Sequence, residues 1–200
     1  MKNYSIHYSY KGIGDVIIIL FDNKKKPTHS VSKGRVTVVY HDEEIIGYNI
    51  FDVKDIVKIR NEGMIHFPSP QLIEVINTIL INAKVEPLEI LKESGYYVGQ
   101  IKSIKSIDSE KNLVSIELKN EIVNGVTKYQ NLKISDKVVV AKVGTHLNNG
   151  DIVKDSENDN VVINAHICTN SELGIDNNDE IFIVDEDIEN GKDFFTTEVI

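Results

Sequence analysis

The sequence predicts an α+β domain over residues 1–92, followed by an all-β domain over residues 93–200. In the first part, short β-branched runs surround one amphipathic helical pattern after Pro70. From Tyr96 onward, strand patterns dominate, and asparagine and glycine recur between them. Five or more short strands with such turns are typical of a small barrel or sandwich, and the pattern alone leaves both open.

Four strands are predicted in the first part. Tyr4 to Tyr10 alternates polar and apolar residues, and Asp15 to Phe21 is a dense β-branched run. Arg35 to His41 and Ile45 to Phe51 are two further candidates. The glycine-containing segment Lys11 to Asp15 is predicted to be a hairpin turn, because a phosphate-binding glycine loop would precede a helix and not a β-branched strand.

One helix is predicted after this group of strands. Ser69 suits the N-cap position and Pro70 the first turn. The apolar residues that follow recur at intervals of three and four, which places them on one buried stripe: Leu72, Ile73, Ile76, Ile79 and Leu80.

The second part is predicted to consist of strands and tight turns. Imperfect spacing over Val98 to Ile107 indicates a bulged or strongly curved strand, and Asn124-Gly125 and Asn149-Gly150 are predicted turns. A short helical turn is expected around Ser171 to Leu173. The other strand candidates are Leu113 to Leu118, Val126 to Ile134, Val138 to Val143, Val161 to Thr169 and Ile181 to Val184.

The net charge of −9 is concentrated at the C-terminus. Residues 170–200 carry one lysine, Lys192, against ten carboxylates, whereas residues 93–169 carry nine lysines against ten acids. A modest basic face on the second domain is therefore compatible with the overall charge, although an acidic surface nearby weakens phosphate binding.

Several classes of protein are not expected. No stretch approaches 18 apolar residues, and the first residues resemble no secretion signal, so no membrane association is predicted. The single cysteine, Cys168, excludes an internal disulfide and fits a cytoplasmic location. His166 and Cys168 share a predicted strand face, but no third partner completes a metal or nucleophile site, so no enzyme, metal or cofactor is predicted.

A family resemblance rests on ordered motifs. The valine-rich segment Lys137–Gly144 is followed by the Asn149-Gly150 turn and by Ile167-Cys168-Thr169 before a Glu-Leu turn. In this order they resemble the EMAP-II-like tRNA-binding domain, found at the N-terminus of bacterial phenylalanyl-tRNA synthetase beta chains and in free-standing proteins. The resemblance implies an OB-fold that binds structured RNA without catalysis.

Motifs in the first half narrow this resemblance. Lys11–Val16, Gly47–Phe51 and Tyr97–Ile101, with a helix between the last two, are similar to the YtpR-type protein of Firmicutes. That family joins a small N-terminal domain to the tRNA-binding barrel. Three of the family's usual motifs are altered in this sequence. Ile107–Leu113 lacks the usual His-Pro, Thr127–Asn131 keeps only the asparagine of Cys-Gly-Ala-Pro-Asn, and Ile163–Thr169 lacks the usual Gly-Met.

An OB barrel that binds RNA places lysines near phosphates and planar side chains near bases. The candidates lie on the predicted strands and their connecting loops. They are Lys102, Lys105, Lys111, Asn112, Lys128, Tyr129, Asn131, Lys142, Asn164 and His166.

Two hypotheses therefore stand. The first is a non-enzymatic protein that recognises tRNA or other structured RNA by its shape. The second is a protein-interaction adaptor that kept the barrel and lost RNA affinity, motivated by the altered motifs and the acidic C-terminus. A homodimer is also possible, with Phe194–Ile200 forming either an edge strand or an unstructured tail.

Overall fold

The computed structural model describes residues 3–60 and 62–196. The chain divides into two compact units, residues 1–92 and residues 93–200. Most of the regular structure in the described residues is β-strand, with two short helices, both in the first unit. Neither helix has the length and hydrophobicity needed to cross a membrane.

The first unit contains one antiparallel sheet and a helix that covers it. Its elements are β1 (Ser5–Tyr8), α1 (Tyr10–Ile13), β2 (Val16–Leu20), β3 (His29–Lys33), β4 (Val36–His41), β5 (Glu44–Phe51), β6 (Gly63–Ile65) and α2 (Pro70–Asn82). The strands are arranged in the order β3-β4-β5-β2-β1-β6.

Helix α2 confirms the helix predicted from the apolar spacing. The Ser69 hydroxyl accepts a hydrogen bond from the Leu72 backbone N–H at 3.2 Å, which caps the helix as expected. Ile73, Ile76 and Leu80 are fully buried and share one apolar core with the strands. Burial of this stripe therefore holds the helix against the sheet.

Three elements of the first unit differ from the prediction. The predicted turn between β1 and β2 does connect two paired strands, but it forms the single helical turn α1, which Ser9 caps. Strands β3 and β6 were not predicted. All five residues of β3 are exposed, so no apolar alternation marks this edge strand in the sequence.

In the described part of the second unit, residues 93–196, all the regular elements are strands. They are β7 (Tyr96–Ser106), β8 (Asn112–Glu117), β9 (Ile122–Thr127), β10 (Lys137–Lys142), β11 (Ser156–Asn158), β12 (Val161–Ile163), β13 (Ala165–Ile167) and β14 (Ile183–Val184). The main sheet has the order β13-β10-β7-β8-β9, β14 pairs with β10, and β11 and β12 form a separate pair.

The two ends of the main sheet, β9 and β13, approach each other and nearly close a barrel. The Asn164 N–H donates to the Asn124 carbonyl at 3.0 Å, and the Asn124 N–H donates to the Asn164 side chain at 2.9 Å. Of the two all-β options, the structure is therefore barrel-like. Its interior is apolar and includes Ile101, Val114, Ile116, Val123, Val138, Val140 and Ile167.

The prediction of a turn at Asn124-Gly125 was wrong, because both residues lie inside β9. The chain turns instead between β8 and β9, where Glu117 pairs with Ile122. A Cβ atom on residue 125 would lie 3.1 Å from Ile167 Cγ1 and 3.2 Å from the Ala165 carbonyl oxygen. These contacts are tighter than ordinary van der Waals contact, so glycine suits the close approach of β13. The strand predicted over Val126 to Ile134 is displaced toward the N-terminus, to Ile122–Thr127.

Two further predictions for the second unit are confirmed, and a third is confirmed only in part. The register of β7 against β8 shifts between Ile101 and Ser103, which is the expected irregularity of the long strand. Gly150 has a φ of 85° and donates its N–H to the Leu147 carbonyl at 2.8 Å, so Asn149-Gly150 does form a turn. The strand predicted over Val161 to Thr169 is interrupted at Asn164.

The acidic C-terminal segment is folded onto the second unit as far as Thr196. Phe194 is fully buried in a second apolar core with Tyr96, and its N–H donates to the Tyr96 carbonyl at 2.8 Å. The Ser94 hydroxyl donates to Asp193 at 2.7 Å. The edge strand or tail expected over Phe194–Ile200 is thus a packed segment at its start, and residues 197–200 lie outside the described residues.

Replacing Phe194 with alanine is expected to lower the free energy of unfolding by about 3–5 kcal/mol, because it leaves a cavity in this core. Urea unfolding followed by circular dichroism measures the change. Ile183→Ala is the matched control, since Ile183 is 50% exposed and its loss is expected to cost about 0.5 kcal/mol or less. Equal costs for the two variants would contradict the docking of the acidic segment.

Candidate functional site

A groove of about 470 Å³ lies where β9 and β13 meet, and we call it the seam groove. Its walls come from the loop before β8, from β9 and the residues after it, from the loop after β10, from β13, and from the loop that follows β13. Side chains from these segments that line it include Lys111, Val126, Lys128, Tyr129, Asn149, His166, Glu172 and Asp179.

Four of the predicted site residues meet in the seam groove: Lys111, Lys128, Tyr129 and His166. The Tyr129 hydroxyl donates a hydrogen bond to the Asp179 carbonyl oxygen, which fixes the ring. The Lys128 ammonium lies 5.6 Å from the centre of that ring. Burial, with a contribution from the Asp179 carboxylate, raises the pKa of Tyr129, so its phenol stays protonated at neutral pH.

His166 is held by a carboxylate from the loop after β13. Its Nε2 atom lies 2.9 Å from Glu172 Oε1, and the other oxygen of Glu172 accepts the Thr169 backbone N–H at 2.9 Å. Burial opposes ionisation of Glu172, but the hydrogen bonds from His166 and Thr169 outweigh it, so the pKa of Glu172 lies below its ordinary value of 4.5. Glu172 is therefore charged and oriented by its neighbours.

The carboxylates of the seam groove have partners within the protein, whereas its lysines have no carboxylate partner in the described residues. Glu172 pairs with His166, and the Asp179 carboxylate accepts a hydrogen bond from the Ser171 hydroxyl at 2.8 Å. Lys111 and Lys128, by contrast, make no ion pair with a carboxylate in the described part of the chain. Their ammonium groups are available to an anion that enters the groove.

Two of the predicted lysines lie outside the groove and are paired. The Lys102 ammonium is 2.8 Å from Glu117, and the Lys142 ammonium is 2.6 Å from Glu121 and 5.6 Å from the centre of the Tyr97 ring. The predicted lysines are thus divided between the groove and other parts of the barrel.

The remaining candidates are placed as follows. Lys105 is exposed on β7, and Asn131 is exposed in the loop after β9. Asn112 is buried and donates to the Gln130 side chain at 3.0 Å. Asn164 joins β9 to β13. These positions assign structural roles to Asn112 and Asn164, while Lys105 and Asn131 remain accessible.

The sequence prediction missed Glu172 and Asp179 as groove residues. A signal for Glu172 was present, because Thr169 precedes it by three residues, the spacing of a capping box. The structure shows both bonds of that box, since the Glu172 N–H donates to the Thr169 hydroxyl at 3.3 Å. No local pattern marks Asp179, whose position depends on the fold of its loop.

His166 and Cys168 do not form a nucleophile pair. Cys168 is fully buried, and burial raises the pKa of its thiol well above 9.0, while the His166 ring faces Glu172. The described residues contain no group of three or more histidine, cysteine, aspartate and glutamate side chains that is arranged to hold a metal ion.

Known proteins resemble both the first unit and the chain as a whole. Residues 22–88 match a family model described as a domain of unknown function, DUF4479. The chain is also similar to the "Putative tRNA-binding protein YtpR" of Bacillus subtilis (strain 168), with 28% identity over 174 residues that cover 84% of this chain and 86% of the relative. The resemblance to YtpR-type proteins inferred from the sequence motifs is therefore confirmed.

The lowered pKa of Glu172 gives a prediction about acid stability. A carboxylate with a depressed folded-state pKa stabilises the fold above its unfolded pKa, and this contribution is lost as the pH falls through the folded value. We expect Glu172→Gln to be less stable than the wild type at pH 7 and to lose less stability on acidification below pH 4.5.

Urea unfolding measured between pH 7 and pH 3 tests this, with Glu180→Gln as the control because Glu180 is exposed in the same loop. If Glu172→Gln follows the same pH curve as the wild type, the described hydrogen bonds do not stabilise the charged form.

Proposed function

We propose that this chain is a non-catalytic RNA-binding protein that recognises tRNA or another structured RNA through an OB-type barrel. The observation that carries the proposal is the seam groove, in which Lys111, Lys128, Tyr129 and His166 meet from separate elements. The similarity to a relative that is named for tRNA binding points to the same ligand.

The strand arrangement supports the OB type. Starting from β7, the neighbours run β7, β8, β9, β13 and β10, which pairs again with β7. This order, in which β9 and β13 nearly close the barrel, matches that of the five-stranded Greek-key barrel of OB-folds, which bind oligonucleotides on the face of the second and third strands and the loops beside it. Strand β9 and the loop before β8 hold this position here and form part of the groove.

The chemistry of the groove suits recognition without reaction. Lys111 and Lys128 supply positive charge for phosphates, which act as sequence-independent anchors. The Tyr129 ring offers a planar surface beside them, and stacking of a base on an aromatic side chain contributes about 1–3 kcal/mol. His166, fixed by Glu172, presents a second planar group.

Lys102 and Lys142 belong to the proposal as secondary contacts. Each is paired with a partly exposed glutamate, and exposed ion pairs contribute only about 0–1 kcal/mol. A phosphate can therefore replace the carboxylate at small cost. Lys105 is accessible without such an exchange.

A protein-interaction adaptor is the second candidate, and one observation favours it. Glu172 and Asp179 line the seam groove beside the lysines, so the groove presents both signs of charge. Such a surface suits a polar protein partner as well as RNA. Purification from lysate with and without ribonuclease separates the two functions, because only a protein partner survives the treatment.

The direct test is a gel-shift titration of the full chain with bulk tRNA at several salt concentrations. We expect Lys111→Glu with Lys128→Glu to weaken binding at low salt and to reduce the slope of log affinity against log salt by about 1 for each phosphate that is no longer bound. The control variant is Lys154→Glu with Lys192→Glu, which makes the same change of charge outside the seam groove.

The control variant is expected to bind with near wild-type affinity. Absence of tRNA binding by the wild type even at low salt would contradict the proposed function, because contacts made by lysines strengthen as salt is removed. Equal weakening in both double variants would contradict the groove as the location of RNA binding.

A further inference from the structure

The first unit has a groove of its own along helix α2. One cavity of about 510 Å³ lies beside Lys33, Arg35 and Asn82, and another of about 450 Å³ lies beside Lys58 and Arg60. Both cavities are lined by Val75 of α2 and by the segment that precedes β6. We call the pair the helix groove.

The helix groove carries four positively charged side chains that form no ion pair with a carboxylate in the described residues. Lys33, Arg35, Lys58 and Arg60 are all exposed, and none of them makes an ion pair within the described ranges. Lys25, elsewhere on the same unit, differs from them because its ammonium lies 2.5 Å from Glu44 Oε2. These four cations are therefore available to an anionic ligand.

The two arginines of this group are the two arginines of the whole sequence. A guanidinium offers a planar fork that bonds two phosphate oxygens at once, which a lysine does not. The Lys33 ammonium donates to the Lys84 carbonyl at 3.3 Å, which brings Lys84 to the same end of the groove. One nitrogen of the Arg35 guanidinium, Nη1, donates to the Asp52 carbonyl at 2.7 Å, while Arg35 and Arg60 both remain exposed. The arrangement is thus a basic surface that includes two guanidinium groups.

Besides the four cations, the helix groove is lined by neutral hydrogen-bonding side chains and by apolar side chains. Gln71 and Asn82 carry exposed amides near opposite ends of α2. They are eleven residues apart, or about 17 Å along the helix axis. Ile56 and Val75 also line the first cavity, and Val75 lines the second as well. Amides, lysines and arginines are among the side chains that contact phosphate and sugar in nucleic-acid complexes.

From these observations we infer that the helix groove of the first unit is a second RNA-binding surface, which contacts the phosphate backbone of the RNA bound by the second unit. The inference rests on the proposed function. It gives a function to the first unit, whose net charge is +1, whereas residues 93–200 have a net charge of −10. The similarity to the relative named for tRNA binding covers more residues than the second unit contains, so it extends into the first.

The test is a gel-shift titration of bulk tRNA with full-length Lys33→Glu/Lys58→Glu, one substitution in each cavity. We expect at least tenfold weaker binding at low salt and a salt slope smaller by about 2, since two phosphates are no longer neutralised. Lys33→Arg/Lys58→Arg keeps the charge and is expected to bind like the wild type. Circular dichroism verifies the fold of each variant.

Lys24→Glu/Lys26→Glu is the matched control, because it makes the same charge change on the same unit. His41 Nδ1 lies 2.8 Å from the Lys26 carbonyl at the end of the β3–β4 pair opposite Lys33, so these residues are remote from the groove. We expect this control to bind tRNA within about twofold of the wild type, because screening limits the effect of distant charges.

The outcomes separate this inference from the proposed function. If the wild type binds tRNA and the helix-groove variant binds equally well, the inference is wrong and the proposed function stands. If the wild type binds no tRNA, both are wrong. If the variant retains tRNA binding but loses a ribonuclease-resistant protein partner, the helix groove binds an acidic protein and the inference is again wrong.

Discussion

The second unit depends on how closely β9 and β13 can approach. A Cβ atom at residue 125 would lie 3.1 Å from Ile167 Cγ1, which is tighter than ordinary van der Waals contact, so a glycine at this position favours the close approach. Asn124 and Asn164 then join the strands through two hydrogen bonds. Closure brings the end of β9, with Lys128 and Tyr129, beside His166 on β13, and the seam groove forms between them. Without this approach the same side chains would lie on opposite edges of an open sheet.

The carboxylates of the second unit and the cations along α2 in the first unit differ in their partners. Several carboxylates of the second unit serve the fold itself, since Glu172 closes a capping box with Thr169 and Asp193 accepts the Ser94 hydroxyl. The acidic C-terminal segment is packed through Phe194 and is not a free tail over its described part. In the first unit, four cations along α2 have no carboxylate partner among the described residues. An RNA that contacts both grooves would therefore gain much of its electrostatic attraction from the unit that carries less acid.

The sequence predicted the elements whose signal is local. The apolar stripe of α2, the β-branched run of β2 and the irregular spacing of β7 each report a nearby environment, and each was found in the structure. The prediction of a turn at Asn124-Gly125 was wrong because a glycine that lies close to a neighbouring strand cannot be distinguished in the sequence from a glycine in a turn. The pairing of Lys102 with Glu117 depends on strand register and bulges, which single-sequence patterns do not specify. The sequence therefore predicts which types of residue form the site, but not which of the lysines pair with a carboxylate.

Hydrogen–deuterium exchange of the full chain with and without bulk tRNA tests the account most directly, because it locates the contact in both units at once. We expect tRNA to slow exchange at the residues after β9 and around the Thr169–Glu172 capping box, and also along α2 and the segment before β6. Protection confined to β14 and the acidic C-terminal segment, or no protection at low salt, would contradict it.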